Sequence, residues 1–231
     1  MTNKTAVVVL SGGQDSVTCL GVALRSFDQV HAIAFHYNQK HSIELEQARL
    51  ICDKLGVPLT LMSIPALAEL GDSALVGTDG DVTKAHPFNA DLPASFVPNR
   101  NALFLTTAHA FAQHVGADTI ITGVCETDYS GYPDCRQVFI DKLQDTLNVG
   151  YQTNIRILTP LMNLNKAQTF ALAEEVQILD IVIDDSHTCY NGDRSKSHEW
   201  GKGCGKCPAC ELRKAGFEEF LKMGNDTEEH Y

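Results

Sequence analysis

The chain has 231 residues, 44% of them hydrophobic and 20% charged, with a formal net charge of −11. That length holds one α/β domain with a full core and a small appendage, and the composition is that of a globular chain. No basic stripe offsets the acidic balance, which argues against a tRNA partner, and no apolar run approaches the ~20 residues needed to cross a bilayer.

Met1 to Lys4 lead straight into a strand, without the pattern of a signal peptide. Ala6-Val7-Val8-Val9-Leu10 is a continuous β-branched and apolar run, read as a buried parallel strand. Ser11-Gly12-Gly13-Gln14-Asp15-Ser16 follows, and Val17 to Leu24 has apolar residues at helical spacing. The six residues therefore form a strand-to-helix turn. A helix opening there points unpaired backbone N–H groups and a positive dipole end at the loop. Two glycines let the backbone approach an anion, and Ser11, Ser16 and Thr18 add hydroxyls, so the turn reads as a phosphate cradle. It lacks the lysine of a Walker A loop and the G-x-G-x-x-G spacing of a dinucleotide site.

Gln29 to His36 reads as a second strand, Ser42 as the N-cap of a helix running to Gly56, and Pro58 to Ile64 as a third strand. This alternation predicts a doubly wound, mostly parallel sheet. Ligands in such sheets sit at the carboxyl ends of the strands, where Ser11, His36 and Tyr37 fall. Pro65 to Pro98 is too long for an ordinary connection and reads either as a surface insertion or as a substrate lid. A helix over Arg100–Val115, a strand over Asp118–Val124, a helix over Arg136–Val149, a short fifth strand at Ile155–Leu158 and a helix opening at Asn165 complete the pattern. Asn225 to Tyr231 reads as a frayed acidic tail. The expected division is a nucleotide-binding domain over 1–180 and a metal-binding helical region over 181–231.

Three polar constellations flank these elements. Val97-Pro98-Asn99-Arg100-Asn101 opens a helix, where the dipole favours an anion and Arg100 can clamp phosphate or carboxylate. Glu126 to Arg136 follows the fourth strand and gathers Glu126, Asp128, Tyr132, Asp134 and Arg136. Tyrosine faces and carboxylates suit a flat polar heterocycle. Lys166, at a helix start, can reach a polyphosphate.

Cysteines supply the second strong signal. Eight occur in the chain, which argues for thiols or metal ligands in a reducing compartment, the cytoplasm. Cys19, Cys52 and Cys125 sit in apolar settings and read as core. Cys189 is followed, after fourteen residues, by Cys204-Gly-Lys-Cys207-Pro-Ala-Cys210. Four thiolates suit a closed, structural, tetrahedral zinc. The rival is an iron–sulfur cluster, whose C-x2-C-x2-C runs continue with a further cysteine just downstream. Here the chain enters a helix, Glu211 to Leu221, and zinc is preferred. The nine histidines form no metal or triad spacing and read as structural.

Taken together, SGGQDS at 11–16, VPNRN at 97–101, SGYPDCR at 130–136 and CGKCPAC at 204–210 resemble the 7-cyano-7-deazaguanine synthase family of the N-type ATP pyrophosphatase superfamily. The resemblance covers nearly the whole chain. It implies a Rossmann-like fold of adenine nucleotide alpha hydrolase type, one Zn²⁺ per subunit on Cys189, Cys204, Cys207 and Cys210, ATP with Mg²⁺ as substrate, and commonly a homodimer. It implies a nucleotide-binding segment of Leu10, Ser11, Gly12, Gly13, Gln14, Asp15, Ser16, Val17, Thr18, Cys19 and Leu20. Asp15, Ser16, Arg100 and Lys166 would be catalytic, and the acids and Tyr132 of the 126–136 loop, with Arg136, would hold substrate. The implied reaction joins 7-carboxy-7-deazaguanine and ammonia, at the expense of ATP, into the nitrile base preQ0, a queuosine precursor, without nucleic acid or membrane. One departure is the gap between Cys189 and Cys204, longer than the family pattern, with Arg194 to Gly203 reading as inserted. Two other functions fit parts of the pattern: a tRNA sulfurtransferase using Cys135 or an iron–sulfur cluster, and a zinc-stabilised nucleotide-binding module without catalysis.

Overall fold

Alternation along the first strand decides how the molecule is layered. Successive side chains of a strand leave opposite faces, so Ala6 and Val8 enter one hydrophobic cluster and Val7, between them, enters another. The computed structural model describes residues 4–37, 42–67, 85–86, 89–93, 96–127 and 132–225. In chain order it contains β1 (Thr5–Val9), α1 (Gln14–Ser26), β2 (Gln29–His36), α2 (Ile43–Leu55), β3 (Leu59–Ser63), β4 (Ala85–His86) and β5 (Asn89–Pro93). These lead to α3 (Arg100–Val115), β6 (Thr119–Ile121), a 3-10 turn at Pro133–Cys135, α4 (Gln137–Tyr151), β7 (Arg156–Leu158) and α5 (Lys166–Glu175). Then come α6 (Leu179–Asp184), β8 (Ser197–His198), β9 (Gly201–Lys202) and α7 (Pro208–Asn225).

The central sheet has five strands in the order β3-β2-β1-β6-β7, and every pairing in it is parallel. One face is covered by α1, α5 and α7 through Val17, Leu20, Phe170, Ala173, Phe217 and Phe220. The other is covered by α3 and α4 through Leu105, Ala108, Ala112 and Ile140. Winding on both faces makes the fold doubly wound, as the strand-helix rhythm predicts. The chain winds outward from β1 to β3 and then crosses back to β6, so the crevice between the carboxyl ends of β1 and β6 is the topological switch point.

Several boundaries differ from the sequence reading. Helix α1 opens at Gln14 and not at Val17, because Gly13, extended at φ −79° and ψ 162°, takes the N-cap position. Ser42 occupies the N-cap of α2 without capping it; its hydroxyl donates to Glu46 Oε1 at 3.2 Å. Strand β6 stops at Ile121, although the Thr122 N–H still donates to the Leu158 carbonyl at 3.1 Å. Helix α7 opens at Pro208, ahead of Glu211, since proline fits a helix's first turn. Most of Pro65–Pro98, the expected insertion or lid, lies outside the described residues, as does the tail beyond Asn225. Among the described residues no helix is long and apolar enough to cross a membrane.

Helices α5 and α7 pack as closely as any pair in the fold, and one glycine permits it. A Cβ placed on Gly216 would stand 2.3 Å from Lys166 Cβ and 3.1 Å from the Lys166 carbonyl carbon. Neither atom is the free end of a side chain, so the helices themselves must part. Gly216→Ala is expected to destabilise by about 1–3 kcal/mol through overpacking. Thermal unfolding would register this as a lower Tm, and an unchanged Tm would mean the helices separate without strain.

Candidate active site

The turn after β1 is held by its own hydroxyls. The Gly13 N–H donates to Ser11 Oγ at 3.2 Å, Ser16 Oγ donates to the Gly13 carbonyl at 3.0 Å, and the Ser11 N–H donates to Ser16 Oγ at 3.1 Å. Gly12 sits at φ +88°, and a Cβ there would meet the Glu44 carbonyl oxygen at 2.3 Å. Only glycine admits the first turn of α2 this close. Helix α1 has no side-chain cap, so its first N–H groups face the cavity at the positive end of the dipole. Leu10, Ser11, Gly13, Gln14, Asp15 and Ser16 line that cavity, whose volume is about 610 Å³. Val17, Thr18, Cys19 and Leu20 are buried on α1, and the Thr18 hydroxyl donates to the Gln14 carbonyl at 3.0 Å.

Three buried polar atoms in the turn lack protein partners. The Gln14 amide is 2% exposed, and neither of its polar atoms is hydrogen-bonded; Asp15 Oδ1 is buried and unpaired as well. Buried polar atoms are nearly always satisfied, so unpaired ones at a cavity wall mark places left for a ligand. The other oxygen of Asp15 accepts from Lys166 Nζ at 2.7 Å. Lys166 is aimed by a capping box on α5: the Gln168 N–H donates to Asn165 Oδ1 at 2.8 Å, and the Asn165 N–H donates to Gln168 Oε1 at 2.9 Å. Gly123, after β6, passes so close that a Cβ would lie 3.0 Å from the Asp15 carbonyl carbon. Asp15, Ser16, Lys166 and Arg100 thus share one cavity.

Arg100 opens α3 from Asn99, a left-handed residue at φ 57°. Its guanidinium lies over the Tyr132 ring, 5.9 Å from the centroid, and hydrogen-bonds Tyr37. Burial disfavours its charge, but Tyr37, Tyr132, Asp134 and Cys135 more than compensate and push its pKa up. Phe35 and Phe104 stack at 4.3 Å, and Tyr37 lies 5.5 Å from Phe104. These rings and Tyr132 give the cavity aromatic walls. Glu44 lines it too; burial drives its pKa up to about 7, with Arg100 pulling the other way.

The 126–136 loop is divided in its use. Tyr132 and Cys135 line the cavity. Buried Asp134 accepts the Asn101 N–H at 3.1 Å and so serves the open end of α3. Glu126 Oε1 accepts the Gln137 N–H at 2.6 Å at the start of α4, and Arg136, exposed, is the N-cap residue of that helix. Asp128 lies outside the described residues. Sequence reasoning passed over Glu44, Phe35 and Phe104. Two signals point to the aromatic pair: Phe35 and Tyr37 alternate at the carboxyl end of β2, and Phe104 follows Arg100 by one helical turn.

The four cysteines converge. Cys189, Cys204, Cys207 and Cys210 are buried with all sulfurs within 4.8 Å of one another. The Cys204–Cys210 and Cys207–Cys189 pairs are each 3.9 Å apart. Tetrahedral zinc, with Zn–S near 2.3 Å, sets sulfurs about 3.8 Å apart, so the set fits such an ion. Burial alone would raise the Cys204 thiol, but N–H groups of Lys206 and Cys207 and the thiols of Cys189 and Cys207 bring it to about 6. Burial pushes Cys207 and Cys210 upward. The long gap forms the β8–β9 hairpin, where His198 stacks on Trp200 at 4.4 Å. Arg194 binds it back, donating to the Ser186 and Asp184 carbonyls at 2.7 and 2.8 Å. Buried Arg213 of α7 donates to the Val182 and Trp200 carbonyls at 2.7 and 2.8 Å. The cluster also reaches the glycine turn after β1, since the His187 N–H donates to the Gly12 carbonyl at 2.8 Å.

Fold and site together define a doubly wound α/β protein of nucleotide-binding type that carries a buried cluster of four cysteines able to hold a metal ion. The family model for queuosine biosynthesis protein QueC matches residues 5–221, and the chain belongs to that family. A 7-cyano-7-deazaguanine synthase of Wolinella succinogenes is 55% identical over 221 residues, which cover 95% of each chain. One from Helicobacter pylori (strain P12) is 48% identical over 95% of this chain and 97% of its own. Among solved structures, a 4-thiouridine synthetase–RNA complex with bound ATP is 19% identical with a TM-score of 0.46, covering 96% of this chain and 53% of that one.

Proposed function

We propose that this chain is a C–N-bond-forming ligase that converts 7-carboxy-7-deazaguanine, ammonia and ATP into 7-cyano-7-deazaguanine. One observation carries the reading beyond family membership. The SGGQDS turn opens, at the sheet's switch point, into the same aromatic-walled cavity as Arg100 and Lys166.

A carboxylate is a poor electrophile, so ATP first turns it into an acyl adenylate, with pyrophosphate leaving. The first N–H groups of α1, with Ser11 and Ser16, would exchange their bonds within the turn for bonds to the leaving pyrophosphate. Lys166 and Arg100, which line the same cavity, add positive charge, and Arg100 can hold a carboxylate or phosphate in a fork. Asp15, with one oxygen unpaired, suits a hard cation; Mg²⁺ held there would neutralise charge developing on the phosphates. Ammonia attacks the adenylate to give an amide. A second adenylation, on the amide oxygen, lets AMP leave and the nitrile form. Tyr37, Phe104 and Tyr132 supply faces on which a deazaguanine ring can stack. No protein nucleophile is needed, and positioning with charge neutralisation carries the rate.

Four sulfurs leave zinc no open position, so Cys189, Cys204, Cys207 and Cys210 would hold it as a clamp beneath the cavity. The reading entails small-molecule substrates without nucleic acid, a cytoplasmic setting and a homodimer. Incubation with ATP, Mg²⁺, ammonium and 7-carboxy-7-deazaguanine, followed by mass spectrometry, tests it. A nitrile product with AMP is expected. AMP without nitrile would redirect the search to another acid, and no AMP at all would favour a binding module.

A further inference from the structure

Conversion of a carboxylate to a nitrile strips ammonia of every hydrogen it carries. One proton leaves as the amide forms, another as the amide oxygen is adenylated, and the last as AMP departs. A base positioned at the cavity speeds their removal. Among the described residues, two carboxylates line it, Asp15 and Glu44. Asp15 is engaged by Lys166 at 2.7 Å. Glu44 stands in the first turn of α2, whose backbone lies against Gly12 of the phosphate turn. The charged and titratable groups acting on it are Arg100 of α3 and Tyr37 beyond β2, themselves hydrogen-bonded to each other.

Granted the ligase reaction, on which the assignment rests, we infer that Glu44 is the proton acceptor of this site, a catalytic residue that takes hydrogens from the reacting nitrogen. In the final step the C–O bond to AMP breaks, its electron pair leaving on the AMP oxygen. The N–H pair becomes the third carbon–nitrogen bond, and the proton passes to a carboxylate oxygen of Glu44. A base for this work must exchange protons near neutral pH, and Glu44, held at about 7 by burial, does so. Ionised Glu44 also faces Arg100, which keeps the charged form in the cavity between transfers.

The test supplies the carboxamide, 7-amido-7-deazaguanine, with ATP and Mg²⁺, so that the ionisation of ammonia does not enter. Nitrile formation by the wild-type protein should rise with pH through about 7, as Glu44 loses its proton, and level off above it. Glu44→Gln keeps the shape and cannot accept a proton; nitrile formation should fall on the order of 10²–10⁴-fold, and the limb near neutrality should vanish. ATP–pyrophosphate exchange with the carboxylic acid, which moves no N–H proton, should fall far less. Glu44→Asp should restore part of the rate. Glu46→Gln, at an exposed position in the same helix, should keep the wild-type profile. Retention of the nitrile rate or of the limb in Glu44→Gln, or equal loss of exchange and nitrile formation, would overturn the assignment. A wild-type protein inactive in both assays would instead overturn the ligase reading on which it rests.

Discussion

Asp15→Ala is expected to abolish AMP formation while the fold survives. Asp15 is the one residue of the phosphate turn that both pairs with a cation, Lys166 at 2.7 Å, and keeps a buried oxygen unpaired. Without it, Mg²⁺ would lack the anchor proposed for it and Lys166 would lose its ion-pair partner, just where the proposed reaction develops charge as pyrophosphate leaves. The loss should be on the order of 10³-fold in AMP release. Asp15→Asn, which keeps the volume and removes the charge, should be nearly as inactive. The fold should survive with a lowered Tm, since the backbone of the turn and of α1 stays in place while Lys166 loses its ion-pair partner, and Tm reports on this separately from turnover. Normal AMP release in either variant would remove the phosphate-turn assignment.

The second large effect is expected from Cys210→Ser. The four sulfurs lie within 4.8 Å of one another in the interior, a place where thiolates repel unless an ion neutralises them. Cys207 and Cys210 bracket the start of α7, and that helix carries Arg213 and Gly216 into contact with the rest of the fold. Losing one ligand therefore loosens the helix that backs Lys166. Elemental analysis is expected to find one zinc per chain in the wild-type protein and only a small fraction of that in the variant. Stability should fall by about 3–5 kcal/mol, as when one partner of a buried charged set is removed. For a chain this long, that lowers Tm by roughly 6–20 °C. Cys52→Ser, buried in the core away from the cluster, should retain its zinc. Iron in place of zinc would revive the iron–sulfur alternative.

Much of this was legible before folding, for local reasons. The apolar run of β1, the glycines at 12 and 13 and the helical spacing after them specify a strand, a turn and a helix within some twenty residues. The spacing of Cys204, Cys207 and Cys210 likewise encodes a turn whose thiols face one point. Asn165 marks the start of the helix that places Lys166, to which the structure adds the capping box with Gln168. The acid-rich loop after β6 was another matter. Its density of polar groups marks it as busy, but composition does not separate residues that face a ligand from those that cap helices. Asp134 and Glu126 turn out to satisfy backbone N–H groups at the starts of α3 and α4.

By itself, then, the sequence determined the layering, the strand–glycine turn–helix after β1, the close spacing of Cys204, Cys207 and Cys210 and the family to which the chain belongs, because each is written in short stretches of fixed period or spacing. Only the tertiary structure decided that Glu44, Phe35, Phe104 and Arg100 wall the same cavity as Asp15 and Lys166. It also decided that an arginine, Arg213, is buried to bind the cysteine loop. Those residues stand far apart along the chain. What brings them together is the parallel crossover topology, which delivers the carboxyl ends of separate strands to one crevice.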